Sequence, residues 1–189
     1  DAFFISLLDE ERSCIDYAYL IDLGQRYPSE CLPISEHSLT TYVVETGEPL
    51  FIADDIGGVS DTIGKSLYGT NKDTRSVMIA PLKLGGKVIG AISAQHYQPN
   101  MYTDEHMRLF VTLANQVASA IENALLVQSL RLQAVALDAA ANAIVISNAE
   151  GIIQWVNPAF TALTGYRAVE AIGKSTSLLR SGMQDAAFY

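Results

Sequence analysis

Two short stretches open the chain with alternating patterns. In residues 2–8, "AFFISLL", Phe3, Ile5 and Leu7 share one face and Phe4, Ser6 and Leu8 the other. Both faces are largely apolar, which predicts a strand in a sheet covered on both sides. Residues 15–23, "IDYAYLIDL", read as its neighbour across the polar turn "DEERS". Pro28 and Pro33 then break the chain. "SLTTYVVETG" predicts a short helix with Leu39, Tyr42 and Val43 on one face and Gly47 closing it. "PLFIAD" is a further strand. Residues 57–74 are polar and rich in Gly and Ser, and a loop of that length inside a compact domain reads as a lid or a disordered link. Two apolar runs in "SVMIAPLKLGGKVIGAISAQHY" meet at Gly85-Gly86, which supplies the positive φ angles of a tight hairpin. Pro81 has no amide proton to give a ladder, so it marks an edge or a bulge.

The pattern then changes period. Thr103 is a good N-cap, Asp104 and Glu105 complement the positive helix end, and no Gly or Pro interrupts the chain to about Ala141. Within this helix Ala114, Ala118, Ile121, Leu125, Gln128, Leu132 and Val135 recur at alternating spacings of four and three. This heptad seam predicts a parallel homodimer, with Gln128 setting register. A second stripe of Phe110, Leu113, Val117, Ala120 and Ala124 suits packing on the sheet. The competing reading is a single amphipathic helix with both stripes buried inside one domain. After it, "AIVISNAEGIIQWVN" reads as two strands around residues 148–151. Asn157 caps a helix with Pro158 at its first position, closed by Gly165, and another short helix ends near Gly173. The chain reads as cut at both ends.

The balance of charge narrows the partners. Of 189 residues 49% are hydrophobic, which predicts a folded core, and the formal net charge is −9. That field opposes binding to nucleic acid and to anionic membrane surfaces. No uninterrupted apolar run has the length of a membrane span, so no membrane insertion is expected. No signal peptide is visible. Cys14 and Cys31 form no C-x-x-C pair and suggest no disulfide framework, which favours a reducing, cytoplasmic setting.

Residues 1 to about 130 resemble a GAF domain of the bacterial signalling type. The resemblance is carried by "SLTTYVVETGEPLFIAD", "RSVMIAPLKLGGKVIGAISAQHYQPNMYTDEHMRLF" and "LANQVASAIENALL", with only the usual first helix missing. Residues 134–189 resemble the first half of a PAS domain through "NPAFTALTGY" and "LLRSG…FY". The implied fold class is α+β: a GAF antiparallel sheet flanked by helices over 1–127, a long connecting helix over 104–141, and an incomplete PAS unit over 142–189. Such resemblance implies the sensory region of a multidomain signalling protein. Its output domain would be of the cyclic-di-GMP synthesis or hydrolysis type, or a histidine kinase, and no output residue is present.

Candidate chemistry is sparse. His37, His96 and His106 have no nucleophile partner, and Asp54-Asp55 lacks a third ligand, so neither catalysis nor metal binding is expected. Among GAF proteins the free methionine sulfoxide reductases use several cysteines. Cys31 falls near one such position, but threonines around Thr40 and Thr70 stand at others, and a relay needs a resolving thiol. Asn71-Lys72 precedes the hairpin, where the cyclic-nucleotide signature would have the pair follow it. His96-Tyr97 stands in that later place. No cysteine matches bilin attachment. A pocket lined by Phe4, Tyr17, Tyr19, Phe51, Met78 and Tyr97 is one reading of the GAF aromatics, and plain core filling is the other. In the PAS part Trp155, Phe160 and Leu163 are candidates for a cofactor cavity or for core. The resemblance permits non-covalent flavin. Ser175-Thr176-Ser177 disfavours a cysteinyl-flavin photo-adduct, and Ala186 disfavours haem.

Overall fold

The computed structural model describes residues 1–9, 11, 13–34, 38–54 and 74–180. The chain divides into two compact units, residues 1–123 and 124–189. In the first, β1 (Ala2–Asp9), β2 (Cys14–Asp22), β3 (Gln25–Tyr27), β4 (Cys31–Pro33), β5 (Leu50–Ile52), β6 (Ser76–Leu84) and β7 (Lys87–His96) form one sheet. Its order is β3-β2-β1-β7-β6-β5, with β4 also on β2. Every neighbouring pair is antiparallel. Strands β1 and β7 are central, which is why β1 carries apolar side chains on both faces.

Each face has its own cover. On one, Phe4, Ile15, Tyr17, Val77 and Ile79 pack under Leu39, Val43 and Val44 of helix α1 (Leu39–Thr46). On the other, Met78, Ala80, Leu82 and Ile92 pack against Met107, Phe110, Ala114 and Ala118 of helix α2 (Asp104–Asp138). Ser38 caps α1 by accepting the Thr41 N–H, and Gly47 closes it at φ +68°. Tyr42, expected on the buried face of α1, is 37% exposed. The sheet takes up an arc centred on Thr40, Val43 and Val44, which leaves Tyr42 at its margin.

Backbone chemistry explains the sheet's irregularities. Gly85 and Gly86 turn the β6–β7 hairpin at φ +55° and +87°. Pro81 pairs with Ala91 beyond the reach of β5, so its missing donor faces an open edge, and a bulge follows between Leu82 and Lys83. A Cβ on Gly90 would lie 2.0 Å from the Ser6 carbonyl oxygen, so the close approach of β7 to β1 requires glycine there. Strands β3 and β4, three residues each, are too short to carry a pattern and were not expected.

The second unit contains β8 (Val145–Ser147) and β9 (Ile153–Val156), helices α3 (Pro158–Thr164) and α4 (Ala168–Ala171), and a 3₁₀ turn (Thr176–Leu179). Its core is Ile153, Val156, Phe160 and Ala171. Between the strands the Asn148 side chain accepts the N–H groups of Glu150 and Ile152, at 3.1 and 2.9 Å. Asn157 caps α3 and Gly165 closes it at φ +79°, as the pattern predicts.

Candidate functional site

The α1 face of the sheet is apolar at its centre and polar at one end. Asp22 is fully buried and accepts the Tyr97 hydroxyl at 2.5 Å. The register places Asp22 beside Ala2, and Ala2 beside Gln95, so a small residue separates two polar ones. The Gln95 amide nitrogen donates to the buried Ser93 hydroxyl at 3.3 Å, and its amide oxygen accepts from Thr74 at 3.2 Å. Desolvating such groups is costly unless they are paired. These are paired with one another by side chains whose rotation would free donors and acceptors for a polar ligand. Arg75 and Asp54, joined at 2.7 Å, pin together the two ends that flank residues 55–73.

The six aromatic and sulfur residues expected around one pocket do not share a face. Phe4 and Tyr17, with ring centroids 5.0 Å apart, lie under α1, and Tyr97 bonds Asp22 on that same face. Met78 and Phe51 pack on the α2 face, where Tyr19 stacks edge-on against Phe3 beneath Arg26. A bulge between Ile5 and Leu7 is the cause. It shifts the alternation of β2, so Tyr17 and Tyr19 point to opposite faces, whereas strict period two would align them. Of the expected lid at 57–74 only Thr74 is described; its other residues, with His37, Asp55, Asn71-Lys72 and Ala186, lie outside the described residues. Among the described residues no three His, Cys, Asp or Glu side chains cluster as a metal site.

The cysteines correct another expectation. Cys14 and Cys31 are joined in a disulfide, with Cα atoms 5.7 Å apart. Strand β4 folds back onto β2, pairing Asp16 with Cys31 and Cys14 with Pro33. The sequence suggests no disulfide because β4, only three residues long, carries no pattern that would place Cys31 beside Cys14. With the bond present, the cysteines no longer argue for a reducing compartment.

Helix α2 redistributes the predicted seam. Ala114 and Ala118 are fully buried against the sheet, and Ile121 packs beside them. They are therefore not free for a second chain, because the sheet already occupies that side. Leu125, Leu132 and Val135 are 57%, 70% and 64% exposed, and Gln128 is exposed as well. Leu113, assigned to the sheet-packing stripe, is 44% exposed. It lines a groove of about 330 Å³ with Met78, Met101, Tyr102, His106, Leu109 and Phe110, which no sequence signal singled out. Burial raises the Tyr102 phenol above its ordinary value. By length and composition α2 is also apolar enough to cross a membrane, a test that core helices of soluble proteins pass too. Its polar residues interrupt every apolar run without lowering the average far enough.

In the second unit Phe160 is fully buried in the core, Trp155 is half-buried opposite Ile146, and Leu163 is 77% exposed. The three do not converge on one cavity. The residue that matters most here is Asn157, which is 1% exposed. Its side-chain oxygen accepts the N–H groups of Ile144 (2.8 Å) and Phe160 (3.0 Å). Its side-chain nitrogen faces the carbonyl oxygens of Asn142 (2.9 Å), Leu137 and Ala140 (both 3.3 Å). One amide thus caps α3 and holds the Leu137 carbonyl in the last turn of α2 together with two carbonyls of the segment that follows it.

Comparison with known proteins agrees with this architecture. The GAF domain family matches residues 1–122, well over half of the chain. The chain belongs to the GAF family. The PAS fold matches residues 132–189, so a GAF domain is followed by a PAS fold, a pair of sensory domains. No curated protein sequence matches the chain. Among solved structures it is similar to the GAF domain of a phosphoenolpyruvate-protein phosphotransferase from Coxiella burnetii, at 20% identity and TM-score 0.54, covering 68% of this chain and 76% of that one. It is also similar to a methyl-accepting chemotaxis protein, at 18% identity and TM-score 0.53, covering 65% and 77%. A type II free methionine-R-sulfoxide reductase from Thermoplasma acidophilum matches at 15% identity and TM-score 0.52, covering 65% and 79%. At these identities the likeness shows the GAF fold alone.

Proposed function

We propose that the chain is a non-catalytic signal-input module that takes a small polar ligand on the α1 face of the GAF sheet and passes the change into the PAS unit through α2. The observation that carries the reading is the double anchoring of this one helix. Met107, Phe110, Ala114 and Ala118 fix its first half to the sheet, and the Asn157 amide holds the Leu137 carbonyl in its last turn and the Ala140 carbonyl just beyond it. A rotation of α2 therefore disturbs the cap of α3 directly. Buried Asp22 with its part-buried partner Tyr97, and the buried pair Ser93 and Gln95, are the groups that would exchange partners when a ligand binds. Such a switch needs unequal affinity for the two helix positions.

The output this module serves is proposed to be cyclic-di-GMP synthesis or hydrolysis, with a histidine kinase or a ligand-free structural relay as alternatives. Support is the resemblance of the GAF–PAS order to such proteins and the chemotaxis-protein neighbour. A cytoplasmic setting belongs to this reading and requires the Cys14–Cys31 bond to open in the reducing cell. Isothermal titration with cyclic nucleotides, free amino acids and flavin mononucleotide tests it. One class is expected to bind, and Gln95→Leu to weaken it about tenfold, the worth of about one buried hydrogen bond. Silence from all three classes leaves only the relay. A flavin absorption band near 450 nm in the purified protein would instead place the ligand in the PAS unit.

A second reading rests on the cysteines. Cys14 stands where a resolving thiol for Cys31 is needed, and sulfoxide reductases are among the structural neighbours. Two thiols reducing a sulfoxide to a sulfide and water would close this same disulfide. Turnover of free methionine sulfoxide under dithiothreitol, lost in Cys31→Ser, would establish it. A rate equal to buffer removes it.

A further inference from the structure

We infer that the first unit takes a second input, the thiol–disulfide balance of its surroundings, and that the Cys14–Cys31 bond receives it by clamping or freeing β4 and α1. The bond lies at the rim of the fold. Strand β4 stands off the main path of the sheet and pairs with β2 alone. It is three residues long, and Pro33 has no amide proton to give the ladder. Two backbone bonds flank it. The Tyr17 N–H donates to the Glu30 carbonyl at 2.9 Å, and the Ile34 N–H to the Ser13 carbonyl at 3.2 Å. So short an edge strand holds poorly by itself, and the covalent bond is its strongest tie. Exposure then gives the bond a direction of attack, because Cys14 is 5% exposed whereas Cys31 is only half-buried. A small thiolate from solvent reaches the Cys31 sulfur and forms a mixed disulfide there. The bond to Cys14 breaks, and Cys14 leaves as a thiolate that takes a proton from water. A second small thiolate attacks the sulfur of the first and frees Cys31. Two small thiols are oxidised to one disulfide as the protein's bond is reduced. The same exchanges run backwards with oxidised glutathione close it again.

What the bond restrains leads directly to α1. Leu32 in β4 and Ile34 just after it pack against the core under α1, and both are only partly buried there. Little apolar area therefore holds β4 down once the bond is open. Ser38, the N-cap of α1, follows Ile34 by four residues, a span of at most about 14 Å. Helix α1 has eight residues, too few to be stable alone in water, and it keeps its place through Leu39, Val43 and Val44. Its chain enters from β4. With the bond closed that entry is pinned to β2; with the bond open the pin is gone, and β4 and α1 loosen together. Strands β1, β6 and β7 do not pair with β4, so the centre of the sheet keeps its ladders throughout. Closing a chain loop of this size shifts the opening equilibrium by roughly 100-fold. Because α1 covers the face assigned above to a polar ligand, opening would also change access to that face. That consequence rests on the ligand reading; the switch itself does not.

Hydrogen–deuterium exchange of residues 1–189 in glutathione mixtures, from fully oxidised to fully reduced and with no ligand present, tests this. Maleimide trapping counts the free thiols in each mixture. The bond is expected to open and reclose reversibly between the extremes. Amides of β4 and α1 should exchange about 10–100-fold faster when it is open. Their gain should exceed that of β6 and β7 by about tenfold, and residues 124–189, which hold neither cysteine, serve as the reference. Cys14→Ala/Cys31→Ala is expected to show the fast pattern in every mixture. Should that variant not fold, the reversible response of the wild type carries the test. A bond that stays closed, or open, in every mixture overturns the inference. An equal gain across β4, α1, β6 and β7 also overturns it, because the whole unit would then be loosening. So does a reduced protein in which α1 exchanges no faster than before.

Discussion

A single side chain can hold two elements at once, and Asn157 does so. Replacing it with Ala strands two N–H groups and up to three carbonyls in a buried site. The expected cost is about 2–4 kcal/mol, since each unmet buried group costs about 1–3 kcal/mol and some relax toward water. Denaturant unfolding followed by Trp155, the only tryptophan, reports this unit specifically. Asn157→Asp separates the two roles. It keeps the oxygen that caps α3 but sets a carboxylate against the α2 carbonyls, so stability should fall nearly as far as in Asn157→Ala. An Asp variant as stable as the wild type would mean that the tether contributes nothing. Gly90→Ala is a backbone case. Its Cβ would strike the Ser6 carbonyl, so β1 and β7 must part, at an expected cost of about 3 kcal/mol or more. Melting of the first unit within a degree of the wild type would contradict this. Tyr102 adds a pH dependence. Burial raises its pKa above 10.0, so the folded state favours the neutral phenol. That contribution is complete below the unfolded pKa and disappears as pH rises through the folded one. Wild type should therefore lose stability above pH 10 relative to Tyr102→Phe in alkaline unfolding curves.

At the level of elements, pattern succeeded where a run was long or a cap had definite chemistry. The β6–β7 hairpin, the Ser38-to-Gly47 helix, the Asn157 cap and the unbroken α2 were all legible. Failures have physical causes. Strands β3 and β4, three residues each, are too short for an alternation to stand out, so Cys31 could not be seen to lie beside Cys14. The bulge in β1–β2 breaks period two, which sent Tyr17 and Tyr19 to opposite faces. Helix α2 is apolar on more than one side, and periodicity cannot say which side the sheet takes; only the fold of residues 1–123 does. Substitution can test that assignment. Ala118→Leu pushes a larger side chain into a fully buried position against the sheet, and should destabilise the first unit by about 1–3 kcal/mol. Leu132→Ala should leave that unit's melting unchanged. The reverse result would move the sheet contact to the other end of the helix.

For the whole molecule, the disulfide provides a way to ask whether the two units stand alone. Cys14 and Cys31 are 17 residues apart and both belong to residues 1–123. Closing a loop of that size restricts the unfolded chain of this unit by about 3 kcal/mol. The unfolded chain of residues 124–189 gains nothing from it. For a domain near 120 residues, a loss of that size should lower the melting temperature by roughly 10 °C. Calorimetry in dithiothreitol should therefore show the first unit's transition moving down by about that amount, while the transition reported by Trp155 fluorescence stays in place. A matching fall in the Trp155 transition would show that the units unfold as one through α2, and the helix would then be a rigid strut. A stationary Trp155 transition means that the PAS unit keeps its own stability. Signals crossing α2 must in that case act by shifting contacts such as those of Asn157, without melting either end.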